Sequence, residues 1–190
     1  MAIYEDKSLV YRVRRTIFFF DEVKAESVLE AIKLINEIEA DNSTKPIEFV
    51  INSVGGSCYD GLALYDRLRQ SECKIITIGT GLVASIALLV FLAGEVRFVT
   101  ENVRLLNHQG YTEIAGKTSD VEIDYKELKK LEDMVNSEIS DRAGITLSKV
   151  LRDIKIGDRW FGAEQAIEEG YAHELIKNKR TRRKRKRKKS

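Results

Sequence analysis

The twenty residues Ile75–Gly94 carry no charged side chain, and Ser85 sits within their second half, TGLVASIALLVFLAG. A serine hydroxyl becomes a nucleophile only with a base beside it, and the base needs an orienting acid. The chain offers two histidines for the first role: His108, closing LLNHQ, and His173, in GYAHELI. Asp158, in GDRWF, is the candidate acid; it falls in a short polar break between apolar elements, ahead of a helix. Ser85 itself falls at a helix start, where backbone N–H groups lack intrahelical partners and can face a developing oxyanion. On pattern alone a second reading stays open. A serine at a helix start commonly caps it, and a lone histidine is commonly a core residue. Cys58 and Cys73 fit no metal-ligand spacing, so with two histidines no metal site is expected.

These residues need elements to hold them. Thr16–Phe20 reads as a buried strand, followed by a helix near Val23–Ala40 with Val28, Leu29, Ile32, Ile35 and Ile38 on one face. Ile47–Ile51 is a second strand, leading through Asn52-Ser53-Val54-Gly55-Gly56 to a helix from about Tyr59 to Arg69. Lys74–Ile78 is a third, and Gly79-Thr80-Gly81 reads as the turn into the Ser85 helix. Strands near Val96–Val99 and Arg104–Asn107 follow, then a helix over Ser119–Arg142, with Ser119 and Glu122 as a capping box. Its stripe is Val121, Tyr125, Leu128, Leu131, Val135 and Ile139, and Gly144 stops it. A short helix Gly162–Glu169 and a strand Tyr171–Ile176 close the fold. This alternation predicts an α/β class with a largely parallel sheet. GYTEIAGKT at 110–118 resembles a phosphate-binding loop, but five residues separate its glycines instead of four. Asp120, Glu122 and Asp124 also oppose an anion there.

Composition divides the 190 residues in two. The last fourteen, Lys177–Ser190, hold eleven of the 32 Lys and Arg and no acid. The remaining 21 basic residues face 30 acidic ones, so the body is at −9. We expect one domain over 1–176 and a disordered basic tail over 177–190. The tail has three readings: charge balance, contact with nucleic acid or an acidic partner, or a localisation address. The charged start MAIYEDKSLVYRVRR does not read as a signal peptide, which predicts a cytoplasmic protein with free thiols. The uncharged run changes from strand-like to helix-like midway, too short to cross a bilayer, so no membrane partner is expected.

Over nearly its whole length the chain resembles the proteolytic-subunit family of the Clp protease, ClpP. The segments that carry the resemblance are RTIFFFDEV, FVINSVGGS, GLALYDRL, IGTGLVASIALLVFLAG, RLLNHQG, SDVEI and GDRWFGAEQAIEEGYAHELI. It implies a ClpP/crotonase-like fold of repeated strand–strand–helix units with a protruding handle helix, here Ser119–Arg142. It further implies a serine endopeptidase acting on unfolded polypeptides inside a chamber of two stacked heptameric rings. By the same resemblance Ser85 aligns with the nucleophile, His108 with the base and Asp158 with the orienting acid. The backbone N–H groups of Gly56 and Ile86 align with the oxyanion hole. A substrate strand would lie against Gly55, Gly56, Ser57 and Gln109. No cofactor is implied for this chain; ATP would be used by a partner AAA+ unfoldase.

The chain departs from the family at Val54 and Gly110, where prolines are usual, and at Ala87, where glycine is usual. Lys117 and Gly157 replace a glutamine and an arginine, the latter implicated in ring-to-ring pairing. Two alternatives follow from the resemblance: a non-catalytic structural subunit of a mixed ring, and a crotonase-like enzyme acting on acyl thioesters.

Overall fold

The computed structural model of the chain describes residues 9–177. The expected basic tail therefore lies, beyond Lys177, outside the described residues. One strand precedes those the sequence predicts: β1 (Val10–Val13) forms an antiparallel hairpin with β2 (Thr16–Phe19). Only Val10 of this edge strand is buried; Tyr11, Arg12 and Val13 are exposed. Helix α1 (Ala25–Asp41) buries Val28, Ala31, Leu34, Ile35 and Ile38. Leu29, expected on that face, is 54% exposed.

β2 pairs in parallel with β3 (Ile47–Ser53), and β3 with β4 (Ile75–Ala84). Here the sequence reading needs correction. Gly79-Thr80-Gly81 is not a turn; β4 runs straight through it for ten residues. The glycines let the strand bend and change neighbours. Residues 76–79 lie between β3 and β5 (Val96–Thr100), while 82–84 pair with β6 (Arg104–Asn107). Asn52 fixes the bend, its Oδ1 accepting the Leu82 N–H at 2.9 Å. Consequently α3 (Ile86–Leu92) has seven residues, not the dozen expected, and every one is buried. Burial at that depth is worth roughly 1.5–3 kcal/mol per large apolar side chain, so this helix anchors the core.

Helix α2 (Cys58–Arg69) starts on Ser57, whose Oγ accepts the Asp60 N–H. The long helix α4 (Thr118–Ala143) is present, but its capping box is not. Lys117 is the cap residue, and Ser119 lies inside the first turn with its hydroxyl turned to Asp120. Only Leu131 and Ile139 of its expected stripe are buried; Tyr125 is 60% exposed. A helix the sequence reading missed, α5 (Leu147–Ile156), buries only Val150 and Ile154. After it comes β7 (Arg159–Gly162), antiparallel to β6, so Asp158 precedes a strand and not directly a helix. Helix α6 (Ala163–Glu168) and β8 (Glu174–Ile176), parallel to β5, complete the chain. The sheet order is β1-β2-β3-β4-β5-β8, with β6 and β7 branching from the end of β4. Among the described residues no helix is long and apolar enough to cross a membrane.

Candidate active site

The branch in the sheet is what gathers the candidate residues. Ala84, the last residue of β4, pairs with Leu106, and Ser85 donates its N–H to the Leu106 carbonyl at 2.9 Å. Ser85 is thus one step beyond β4, and His108 one step beyond β6. On the other side of β6 the antiparallel register ends at Asn107 opposite Arg159. His108 and Asp158 are the residues next beyond that pair. Three adjacent strand ends therefore carry the serine, the histidine and the aspartate to the same edge of the sheet.

Ser85 has φ 57° and ψ −133°, a conformation side-chain-bearing residues avoid. Such strain costs on the order of 1–3 kcal/mol and persists only where surrounding structure imposes it. Here the imposition is visible: the Leu106 bond holds its N–H, and its carbonyl accepts the Leu88 N–H at 2.9 Å. The Oγ has no hydrogen bond among the described residues, so the hydroxyl does not cap α3. This removes the bland reading of Ser85 as a helix cap.

Ser85 and the half-buried His108 line one narrow cavity. Ile86, Leu128, Leu131, Val135 and Ile139 make its apolar wall. Most of that wall comes from α4, which the resemblance makes a protruding handle. The stripe was legible, but not that its C-terminal half faces the serine. Asn136 stands in the same wall, 3% exposed, with no partner for Nδ2 among the described residues. Cys58 also lines it, and burial pushes its thiol up from its ordinary value, leaving it protonated and a poor nucleophile. Asp158 is exposed and does not line the cavity. Among the described residues no hydrogen bond joins Ser85, His108 and Asp158.

Gly55 packs onto the serine so closely that a Cβ there would lie 2.6 Å from Ser85 Cβ. Its N–H goes to Ser53 Oγ and its carbonyl accepts the Val23 N–H, so both backbone groups are used. Ser57 is engaged likewise: N–H to Val23, hydroxyl oxygen to Asp60, carbonyl to Gly61. The backbone groups of Ser57 are thus engaged, and its hydroxyl proton is left for the substrate-strand contact expected of it. Gly56, between them, bridges Val23 in parallel fashion, which turns its own N–H and carbonyl to the opposite side. Neither has a partner among the described residues, and the same holds for the Ile86 N–H. Gln109 is exposed beyond β6.

His173 is elsewhere. Its Nδ1 accepts the Arg97 N–H at 3.1 Å beside β5. Burial, with Arg97 and Arg142 nearby, pushes its pKa below the ordinary value, as suits a neutral acceptor. It ties β5 to the end of the chain's fold and does not line the Ser85 cavity.

Residues 3–179 match the family model described as Clp protease. The chain is 33% identical over 168 residues to "ATP-dependent Clp protease proteolytic subunit 2" of Treponema denticola, covering 87% of this chain and 84% of that protein. It is 34% identical to the protein of the same description in Treponema pallidum, covering 87% and 83%. A third, also so described, from Borreliella burgdorferi, is 34% identical over 182 residues, covering 94% and 91%.

Proposed function

Because this chain belongs to the Clp protease family and is a ClpP-type peptidase, we propose that it hydrolyses peptide bonds by a Ser85–His108–Asp158 mechanism through an acyl-enzyme. The observation that carries the reading is the convergence of three adjacent strand ends on these residues, with Ser85 held in a strained turn and its hydroxyl free.

The steps follow from the groups at hand. An extended substrate adds as a strand along the unpaired side of Gly56. His108 takes the Ser85 proton as Oγ attacks the carbonyl carbon, and Asp158 holds the imidazole and offsets its charge. The oxyanion is received by the N–H groups of Gly56 and Ile86, both lacking a partner among the described residues. His108 returns the proton to the leaving amine. Water then attacks the ester by the same route. Catalytic hydrogen bonds are often loose before substrate binds, and on this reading they close when the substrate strand adds. The apolar wall from α4 favours an apolar side chain next to the scissile bond. The exposed Ile123, Tyr125 and Met134 on α4 support pairing of this helix with a second copy. On that basis the protein works as stacked heptameric rings, fed with unfolded chains by an ATP-using unfoldase.

One observation favours the alternative of a structural subunit: no hydrogen bond links the three residues among those described. Turnover of a fluorogenic peptide by assembled protein separates the two. The catalytic reading expects hydrolysis that falls by at least about 10³-fold in Ser85→Ala, His108→Ala and Asp158→Ala. Equal turnover in wild type and Ser85→Ala contradicts it.

A further inference from the structure

A cavity larger than the one at Ser85 lies elsewhere in the described residues. It opens at the other end of β4, about 30 Å away by strand rise, where β4 and β5 begin. Its volume is about 820 Å³, within the range of small-molecule pockets. Three arginines meet there: Arg69 at the end of α2, Arg97 in β5 and Arg142 near the end of α4. Arg97 is 5% exposed. Its guanidinium donates only to backbone carbonyls, those of Tyr171, Gly94 and Gly170. Arg142 also donates only to carbonyls, those of Leu92 and again Gly94. The two cations thus share one oxygen, at 3.2 Å and 2.9 Å. Arg69 has no hydrogen bond, and none of the three has an ion pair among the described residues.

Like charges are gathered in a partly desolvated site; Glu95 and Glu138 act on Arg142 through space, but no carboxylate is hydrogen-bonded to any of the three. Burial, then the charge of Arg142, pushes Arg97 down to about 10. Burial, then the charge of Arg69, pushes Arg142 down as well. Lys74 adds a fourth cation, against Glu72 and Glu95 in the same wall. Glu95 already accepts the Ile75 N–H.

We propose that this cavity binds a phosphoryl oxyanion, carried by a small molecule or free, with Arg69, Arg97 and Arg142 as its contacts. The donor count favours phosphate over carboxylate. Each guanidinium has five N–H groups. Two remain uncommitted on Arg97, three on Arg142 and all five on Arg69. Such a set exceeds what one carboxylate accepts and suits a dianion with three terminal oxygens.

The test is calorimetric titration of the full-length assembled protein with inorganic phosphate, and separately with glycerol 2-phosphate. The variants are Arg69→Gln and Arg69→Glu, which remove no side-chain hydrogen bond or ion pair among the described residues; thermal unfolding checks that both keep the fold. Saturable binding near one per chain is expected, weakened at least about ten-fold in Arg69→Gln and lost in Arg69→Glu. Binding of both probes identifies an ester as ligand, and of inorganic phosphate alone a free ion. Failure of both probes to bind overturns the proposal, as does wild-type affinity in Arg69→Glu or equal competition by acetate. The outcome does not depend on the chemistry at Ser85.

Discussion

Gly55→Ala is the most informative single-atom change near the serine. A Cβ at residue 55 would lie 2.6 Å from Ser85 Cβ and 2.7 Å from the Ala84 carbonyl oxygen. Neither neighbour is the far end of a flexible side chain. Ordinary contact begins near 3.4 Å, so the two segments must part by roughly 0.8 Å. Gly55 also has φ +94°, where an L side chain costs about 1–2 kcal/mol. Adding about 1–3 kcal/mol for overpacking gives a total loss of about 2–5 kcal/mol. The parting moves Gly56 N–H away from Ser85. A misplacement near 1 Å costs about 100-fold in rate, so kcat for a fluorogenic peptide should fall about that far. Chemical denaturation and peptide turnover are measured together, with Gly116→Ala as control. That glycine is exposed, its added Cβ meets nothing nearer than 3.8 Å, and a change within about 0.5 kcal/mol is expected. A Gly55→Ala protein with wild-type stability and turnover within three-fold would refute the close packing of this loop on the serine.

Ser85→Gly should abolish turnover yet raise stability by about 1 kcal/mol, since glycine accepts φ 57° without strain; a lower Tm than wild type contradicts the strained turn. Asn136→Leu removes a buried amide whose Nδ2 has no partner among the described residues. It should leave stability equal or raised by about 1 kcal/mol and shift cleavage further toward apolar side chains, read with a peptide library. Glu39 is pushed up by burial but further down by its bonds to Arg67 and Ser71 and by the Arg67 charge, so its pKa is lowered in the fold. Its stabilising effect is therefore present above the unfolded carboxylate value of 4.5 and lost as pH falls through the lowered one. Glu39→Gln should accordingly unfold at lower temperature than wild type at pH 7, with the gap closing in acid; a gap independent of pH contradicts the pair.

The parts legible in the sequence are those written in residue type and period. Strand–helix alternation predicted the parallel sheet, and the three chemical side chains fall on one sheet edge. The course of β4 was not legible, because Gly79-Thr80-Gly81 carries turn chemistry while Asn52 and β6, remote in sequence, keep the strand extended. β1 was hidden by its shortness and exposure, and α5 by burying only every fourth residue. The free hydroxyl of Ser85 depends on a backbone bond to Leu106, which no residue type announces. Ser57 looked like part of a binding edge; its hydroxyl oxygen also caps α2 and its N–H goes to Val23. The α4 stripe was visible, but half of it turned out to wall the serine cavity. The arginine cavity joins residues from four separate segments, and only the fold brings them together.

The central claim is that Ser85 is an activated nucleophile. Labelling of the assembled protein with a fluorophosphonate probe, followed by peptide mass spectrometry, tests it directly. The account predicts modification at Ser85 that disappears in Ser85→Ala and is strongly reduced in His108→Ala. Rings that form normally but take up no label, or label equally without His108, would contradict it.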